Sequence, residues 1–359
     1  MLKDNLEELQ KKAKERTVKT QTIEYDLETI VKKIKRDVIK LNPDYQRNYR
    51  WSNEFSSRLI ESLILNIPIP FIYISQDIDV DDDTEDDISR YSVIDGQQRL
   101  TAIYSFFNNS YPLEKLDVLS QLNGCFYKDL PPFLIRRLEE RSIRCLRIDS
   151  TADNQVKYDI FERLNSGSVK LEPQELRNAT CRGPFRDLIK KLSKNKNFIN
   201  LINFKEDSAR SVKMEDQELV LRYFALTYND GYKNYKGDFK KFLTQRMISL
   251  NELSTVDFSN MEKNFLDTMK FLIESGVEYP FSKYKHENDK GSFTRISKFN
   301  AAVFDAICFL AINFMESGRK IDINTIESLF SDTSFYDACD VSTSHVKKVN
   351  IRINKVLEL

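Results

Sequence analysis

Tyr91-Ser-Val-Ile-Asp-Gly-Gln-Gln-Arg-Leu-Thr101 changes period half-way along its length. Tyr91 to Ile94 is a short apolar run of the kind that forms a buried strand. From Arg99 onward the apolar residues fall at Leu100, Ile103, Tyr104 and Phe107, the spacing of one helix face. Gly96 stands between the two halves, where a tight turn can use its freedom at positive φ. The polar cluster Asp95, Gly96, Gln97, Gln98, Arg99 and Thr101 therefore lies where a strand feeds a helix. The first N–H groups of a helix lack intrahelical acceptors and carry partial positive charge, which suits a phosphate. Arg99 adds a charged, forked donor to that place. The plainer alternative is an ordinary strand–turn–helix corner with a solvated arginine.

Two further blocks flank this one in order. Tyr45-Gln-Arg-Asn-Tyr-Arg-Trp51 sets a Gln–Arg pair among aromatics, and Phe161-Glu-Arg-Leu-Asn-Ser-Gly167 is followed by Leu171-Glu-Pro-Gln-Glu-Leu-Arg177. Taken together, the three blocks resemble the DGQQR, YQRxYxW and FxxLNxxG…LxxxELR segments of the GmrSD-type restriction-enzyme N-terminal domain. That family in turn resembles the ParB/sulfiredoxin-like fold, whose Gly-Glu-Arg-Arg box contacts nucleotide phosphates at the equivalent turn. The resemblance covers roughly residues 20–180. It implies a nucleotide site with Asp95, Gln97, Gln98, Arg99 and Glu175 as catalytic candidates. Gln46, Arg47, Gly96, Thr101, Asn165 and Arg177 are the implied nucleotide-binding residues, and Asn165 with Glu175 the implied Mg2+ pair. The competing readings are a capping Asn165, a helix-surface Glu175, and core aromatics at Tyr45, Tyr49 and Trp51.

At 359 residues the chain is long for one core, so two domains are expected. Lys+Arg and Asp+Glu both total 55, which excludes a uniformly basic nucleic-acid binder but not a local basic face. Five separated cysteines without a CxxC pair suggest neither a disulfide framework nor zinc, and favour a reducing cytoplasm. Only His286 and His345 are present, and neither has the context of an HNH nuclease. No P-loop and no GxGxxG spacing occur. The opening segment lacks an apolar signal-peptide core. The most apolar run, Ala301 to Met315, reads as a core helix rather than a membrane span.

Ser52 is a candidate N-cap for a helix with Phe55, Leu59, Ile60, Leu63 and Ile64 on one face. The helical stretch from Leu27 is expected to break at Asn42-Pro43. Pro173 is placed to open a helix. Asp77 to Asp87 reads as a solvated acidic loop. Beyond Arg182 helical periodicity dominates and strand alternation is scarce. There, Tyr232-Lys-Asn-Tyr-Lys-Gly-Asp-Phe-Lys-Lys-Phe242 interleaves rings with Lys233, Lys236, Lys240 and Lys241, a pattern that suits phosphate contact and base stacking or, alternatively, a solvated face.

The expectation is an α+β chain. It has an arm over 1–20, a ParB/sulfiredoxin-like nucleotide-binding domain over 21–181 and a mainly helical domain over 182–359. The expected function is NTP binding and hydrolysis, with Mg2+, in an antiphage restriction system acting on DNA, possessing no membrane segment and served by a separate nuclease subunit. The alternatives are a DNA-nicking nuclease of the same fold and a non-catalytic DNA-binding regulatory module.

Overall fold

Residues 1–170 and 171–359 pack as two separate units. The computed structural model describes residues 19–41, 51–76, 91–148, 159–160, 162, 172–204, 208–287 and 292–359. Gln46, Arg47, Asn165, most of the N-terminal arm and the acidic run therefore lie outside the described residues.

The first unit is built on a five-stranded mixed sheet. Its strands are β1 (Thr20–Asp26), β2 (Ile39–Lys40), β3 (Ile72–Gln76), β4 (Tyr91–Asp95) and β5 (Ser142–Ile148), in the spatial order β1-β5-β3-β4-β2. β3 is central, antiparallel to β4 and parallel to β5. β1 pairs antiparallel with β5, and β2 parallel with β4.

Helix α1 (Leu27–Lys35) starts where Asp26 accepts the Thr29 amide at 2.6 Å, and it buries Leu27, Ile30 and Ile34. It stops well before Asn42-Pro43. Asp37 adopts φ 54°, and the Val38 and Asp37 amides close back on the Lys33 and Ile34 carbonyls, a left-handed C-terminal cap.

Helix α2 (Asn53–Ile64) is capped by Ser52, as its sequence suggests, with Leu59, Ile60, Leu63 and Ile64 buried. Phe55 departs from that face: it is 61% exposed beside Trp51, because the first turn overhangs the core that the later turns cover. In its place α2 buries Ser57 and Glu61. The Glu61 carboxylate accepts the amides of Asp117, Val118 and Leu119 and fixes that loop. Helices α3 (Gln97–Phe107) and α4 (Pro132–Glu139) complete the cover of the sheet core.

The second unit is mainly helical. It opens with α5 (Pro173–Thr180), which has Pro173 as its first residue. There follow α6 (Pro184–Leu192), α7 (Lys196–Ile202), α8 (Ala209–Val212), α9 (Glu215–Thr227), α10 (Phe239–Leu250) and α11 (Thr255–Glu274). An antiparallel hairpin of β6 (Lys283–Glu287) and β7 (Ser292–Ser297) precedes α12 (Ala301–Glu316), α13 (Ile323–Leu329), α14 (Thr333–Ala338) and α15 (Val346–Leu357). The apolar run from Ala301 forms α12, buried on nearly every side, as a helix apolar all round should be.

The one buried charge of α12, Asp305, has no exposed side-chain surface. It accepts two hydrogen bonds from Arg222 on α9, at 3.0 and 2.6 Å, and one from Arg352 on α15 at 2.7 Å. One carboxylate thus ties three helices together. Among the described residues no helix is long and apolar enough to cross a membrane.

Candidate active site at the β4–α3 corner

The stretch that organises the sequence forms a strand, a one-residue turn and a helix. Gly96 takes φ 95° and ψ 11°, left-handed backbone, and α3 begins at Gln97, two residues before the apolar spacing signals it. A Cβ at Gly96 would sit 2.4 Å from Ile72 Cδ1, which would have to move, and the positive φ itself favours glycine here. Gly96 has no side chain, so the start of α3 has no N-cap side-chain hydrogen bond.

The five polar residues around this turn play different parts. Arg99 does not reach into solvent. Its guanidinium donates to Asp95 Oδ2 at 2.9 Å, to the Phe71 carbonyl at 3.2 Å and to the Pro70 carbonyl, and its side chain is 12% exposed. Burial pulls its pKa below the ordinary arginine value, while the neighbouring Asp95 and then Tyr73 oppose that shift. Asp95 is the outward member of the pair, with 41% of its side chain exposed. Gln97 is buried, 7% exposed, and its Nε2 has no hydrogen-bond partner. Gln98 and Thr101 are half-buried on the same first turns. Behind them Cys145 on β5 is fully buried; burial pushes its thiol up to about 12, so it is no nucleophile.

β2 runs parallel to β4 and so leads the chain toward the sheet end where α3 starts. Gln46 and Arg47 follow it in sequence, outside the described residues.

Other expected site residues belong to the second unit. Arg177 is 1% exposed; it donates to Glu218 and Gln174, both at 3.0 Å, and to Thr244 at 3.3 Å, bracing α5 against α9 and α10. Glu175 is buried, and its carboxylate accepts the Glu172 amide at 2.7 Å in a capping box. Among the described residues no cluster of three His, Cys, Asp or Glu side chains could hold a metal ion. Asn165, the residue expected to hold Mg2+ with Glu175, lies outside the described residues.

Lys236, Lys240 and Lys241 are exposed, and Lys233 pairs with Asp230 at 2.6 Å. The rings between them are not a stacking surface. Tyr232, Tyr235 and Phe242 are buried in the helical core, because Asn229 and Asp230 take left-handed backbone and the chain that follows packs its rings inward.

Residues 27–181 match the family model of the GmrSD restriction endonuclease, N-terminal domain. The GmrSD-type stretch covers less than half of the chain. It contains the whole β4–α3 corner and, at its end, α5, which packs in the second unit. Neither a curated protein nor a solved structure matches the chain.

The residues that sequence reasoning missed are Pro70 and Phe71, whose carbonyls hold Arg99, and Tyr73, which lies opposite Asp95. Their only sequence signal is Pro70 itself, which marks where β3 begins.

Proposed function

We propose that the β4–α3 corner binds the phosphates of a nucleoside triphosphate and promotes their hydrolysis, in a restriction system that acts on DNA. The observation that carries this reading is the buried Gln97 Nε2, which has no hydrogen-bond partner, in the first turn of a helix that Gly96 leaves without a side-chain cap. An unsatisfied buried donor costs stability unless something binds to it, and an anion is what that helix terminus favours. Arg99 neutralises Asp95 from behind, so the corner does not repel a phosphate. Catalysis here is positioning and electrostatic support, as phosphoryl transfer generally requires. The match of residues 27–181 to a restriction endonuclease N-terminal domain supports the DNA context. In the helical unit, Lys236, Lys240 and Lys241 serve as contacts to the DNA backbone.

Gln97→Met tests the reading through two effects of opposite sign. Replacing the unpartnered amide by a thioether of similar size raises the melting temperature of the free protein. It also weakens binding of tripolyphosphate and of the four NTPs by roughly tenfold. Calorimetry with each ligand, and phosphate release followed with Mg2+ and with a chelator, give the answer. Unchanged affinity in the variant, or no binding by wild type, overturns the proposal.

A further inference from the structure

Tyr73 lies directly across the β3–β4 ladder from Asp95. Residues paired this way in an antiparallel ladder project from the same face of the sheet, their Cβ atoms roughly 5 Å apart. The ladder slips between Tyr73 and Ile74, a bulge of the kind that re-aims a side chain beside a site. Tyr73 is half-buried, unlike the buried Ile72 and Ile74 on either side, and its phenol is near enough to the Arg99 guanidinium to act on its charge.

A phenol, which donates and accepts, thus stands beside a half-exposed carboxylate already held on one oxygen by Arg99. The ionised carboxylate can only accept, and the phenol can do either. Both suit an alcohol, which can donate to the carboxylate while exchanging a hydrogen bond with the phenol.

We infer that Tyr73, together with Asp95, receives a sugar hydroxyl of the nucleotide whose phosphates occupy the start of α3, so that the corner reads the sugar as well as the phosphates. The inference rests on the phosphate reading above and adds its sugar specificity. Tyr73 is a specificity residue; the phosphate contacts are made elsewhere in the corner.

The test is calorimetric binding to the full chain, wild type and Tyr73→Phe. The probes are tripolyphosphate, the best-bound ribonucleoside triphosphate, and its 2′-deoxy and 3′-deoxy forms. Wild type is expected to bind the ribonucleotide roughly two- to tenfold more tightly than one of the deoxy forms, the worth of a single hydrogen bond. Tyr73→Phe removes only one oxygen; it should abolish that preference, leave tripolyphosphate affinity unchanged and melt at the wild-type temperature. Should wild type bind tripolyphosphate yet show no sugar preference, or should Tyr73→Phe retain that preference, the inference fails and the phosphate reading stands. Should wild type bind neither tripolyphosphate nor nucleotide, both fail together.

Discussion

Arg99 Nη2, on the first turn of α3, donates to Oδ2 of Asp95 at the end of β4 at 2.9 Å, and the arginine is the buried partner while the carboxylate faces water. The motif's cation is therefore a brace. It holds the carbonyls of Pro70 and Phe71 at the start of β3 and fixes Asp95 from behind.

Arg99→Ala should consequently destabilise the free protein as well as impair ligand binding. It strands two carbonyl oxygens and unpairs Asp95, at a cost of roughly 2 kcal/mol. Urea melts in the absence of ligand measure it. A variant as stable as wild type would return Arg99 to a solvent-facing role.

Gly96→Ala combines left-handed backbone with a clash on Ile72 Cδ1. A loss of about 1–3 kcal/mol is expected from strain and overlap. Adding Ile72→Val removes the clashing methyl but not the positive φ, so the double variant should recover only part of the loss. Complete recovery would show that φ costs nothing here.

The corner was legible in the sequence because each of its signals is local: an apolar strand, a glycine, then helical spacing. Ser52 and Pro173 mark helix starts by equally local chemistry. The inward fork of Arg99 was not legible, since its carbonyl partners lie 28 and 29 residues back and offer no side chain to read. The hairpin β6–β7 was missed because Lys283-Tyr-Lys-His-Glu287 and Ser292-Phe-Thr-Arg-Ile-Ser297 are largely polar, with too few apolar positions to show alternation. The lysine–aromatic stretch looked exposed as a whole. Tyr232, Tyr235 and Phe242 go inside and Phe239 is half-buried, which depends on packing against distant parts of the helical unit.

Asp305→Asn should be among the most damaging single changes in the helical unit. Two arginines, one with no exposed side-chain surface and the other 12% exposed, would lose their shared carboxylate, and breaking a buried pair costs about 3–5 kcal/mol. Chemical denaturation measures the change. A loss below about 1 kcal/mol would mean that water or relaxation replaces the carboxylate.

Asp216, on the first turn of α9, gives a pH signature. Burial pushes its carboxyl up to about 6, with nearby backbone amides opposing the shift. Because the folded-state pKa lies above the unfolded value, the folded chain binds more protons across that window. Stability from this group therefore falls as pH rises from about 4 to about 6. Asp216→Asn should melt higher than wild type at pH 7, and the gap should close toward pH 4. A gap independent of pH would assign the effect to packing.

If the helical unit binds DNA, affinity must fall steeply with salt. Replacing Lys236, Lys240 and Lys241 by Gln should flatten the plot of log K against log salt by about one unit for each phosphate that is no longer neutralised. Adding Lys233→Gln should change little more, since that lysine already pairs with Asp230. Identical slopes in a salt series would leave these lysines as a solvated face.

Among the described residues β1 has a single ladder partner, β5, and its first residue, Thr20, is matched with Ile148. During synthesis the earliest strand of the sheet must therefore wait for the last to leave the ribosome. Until then it is an unpaired edge, open to whatever strand arrives first. Closing so long a loop makes this pairing a late step in folding. A chain halted before residue 142 would present the nascent sheet with one side unfinished.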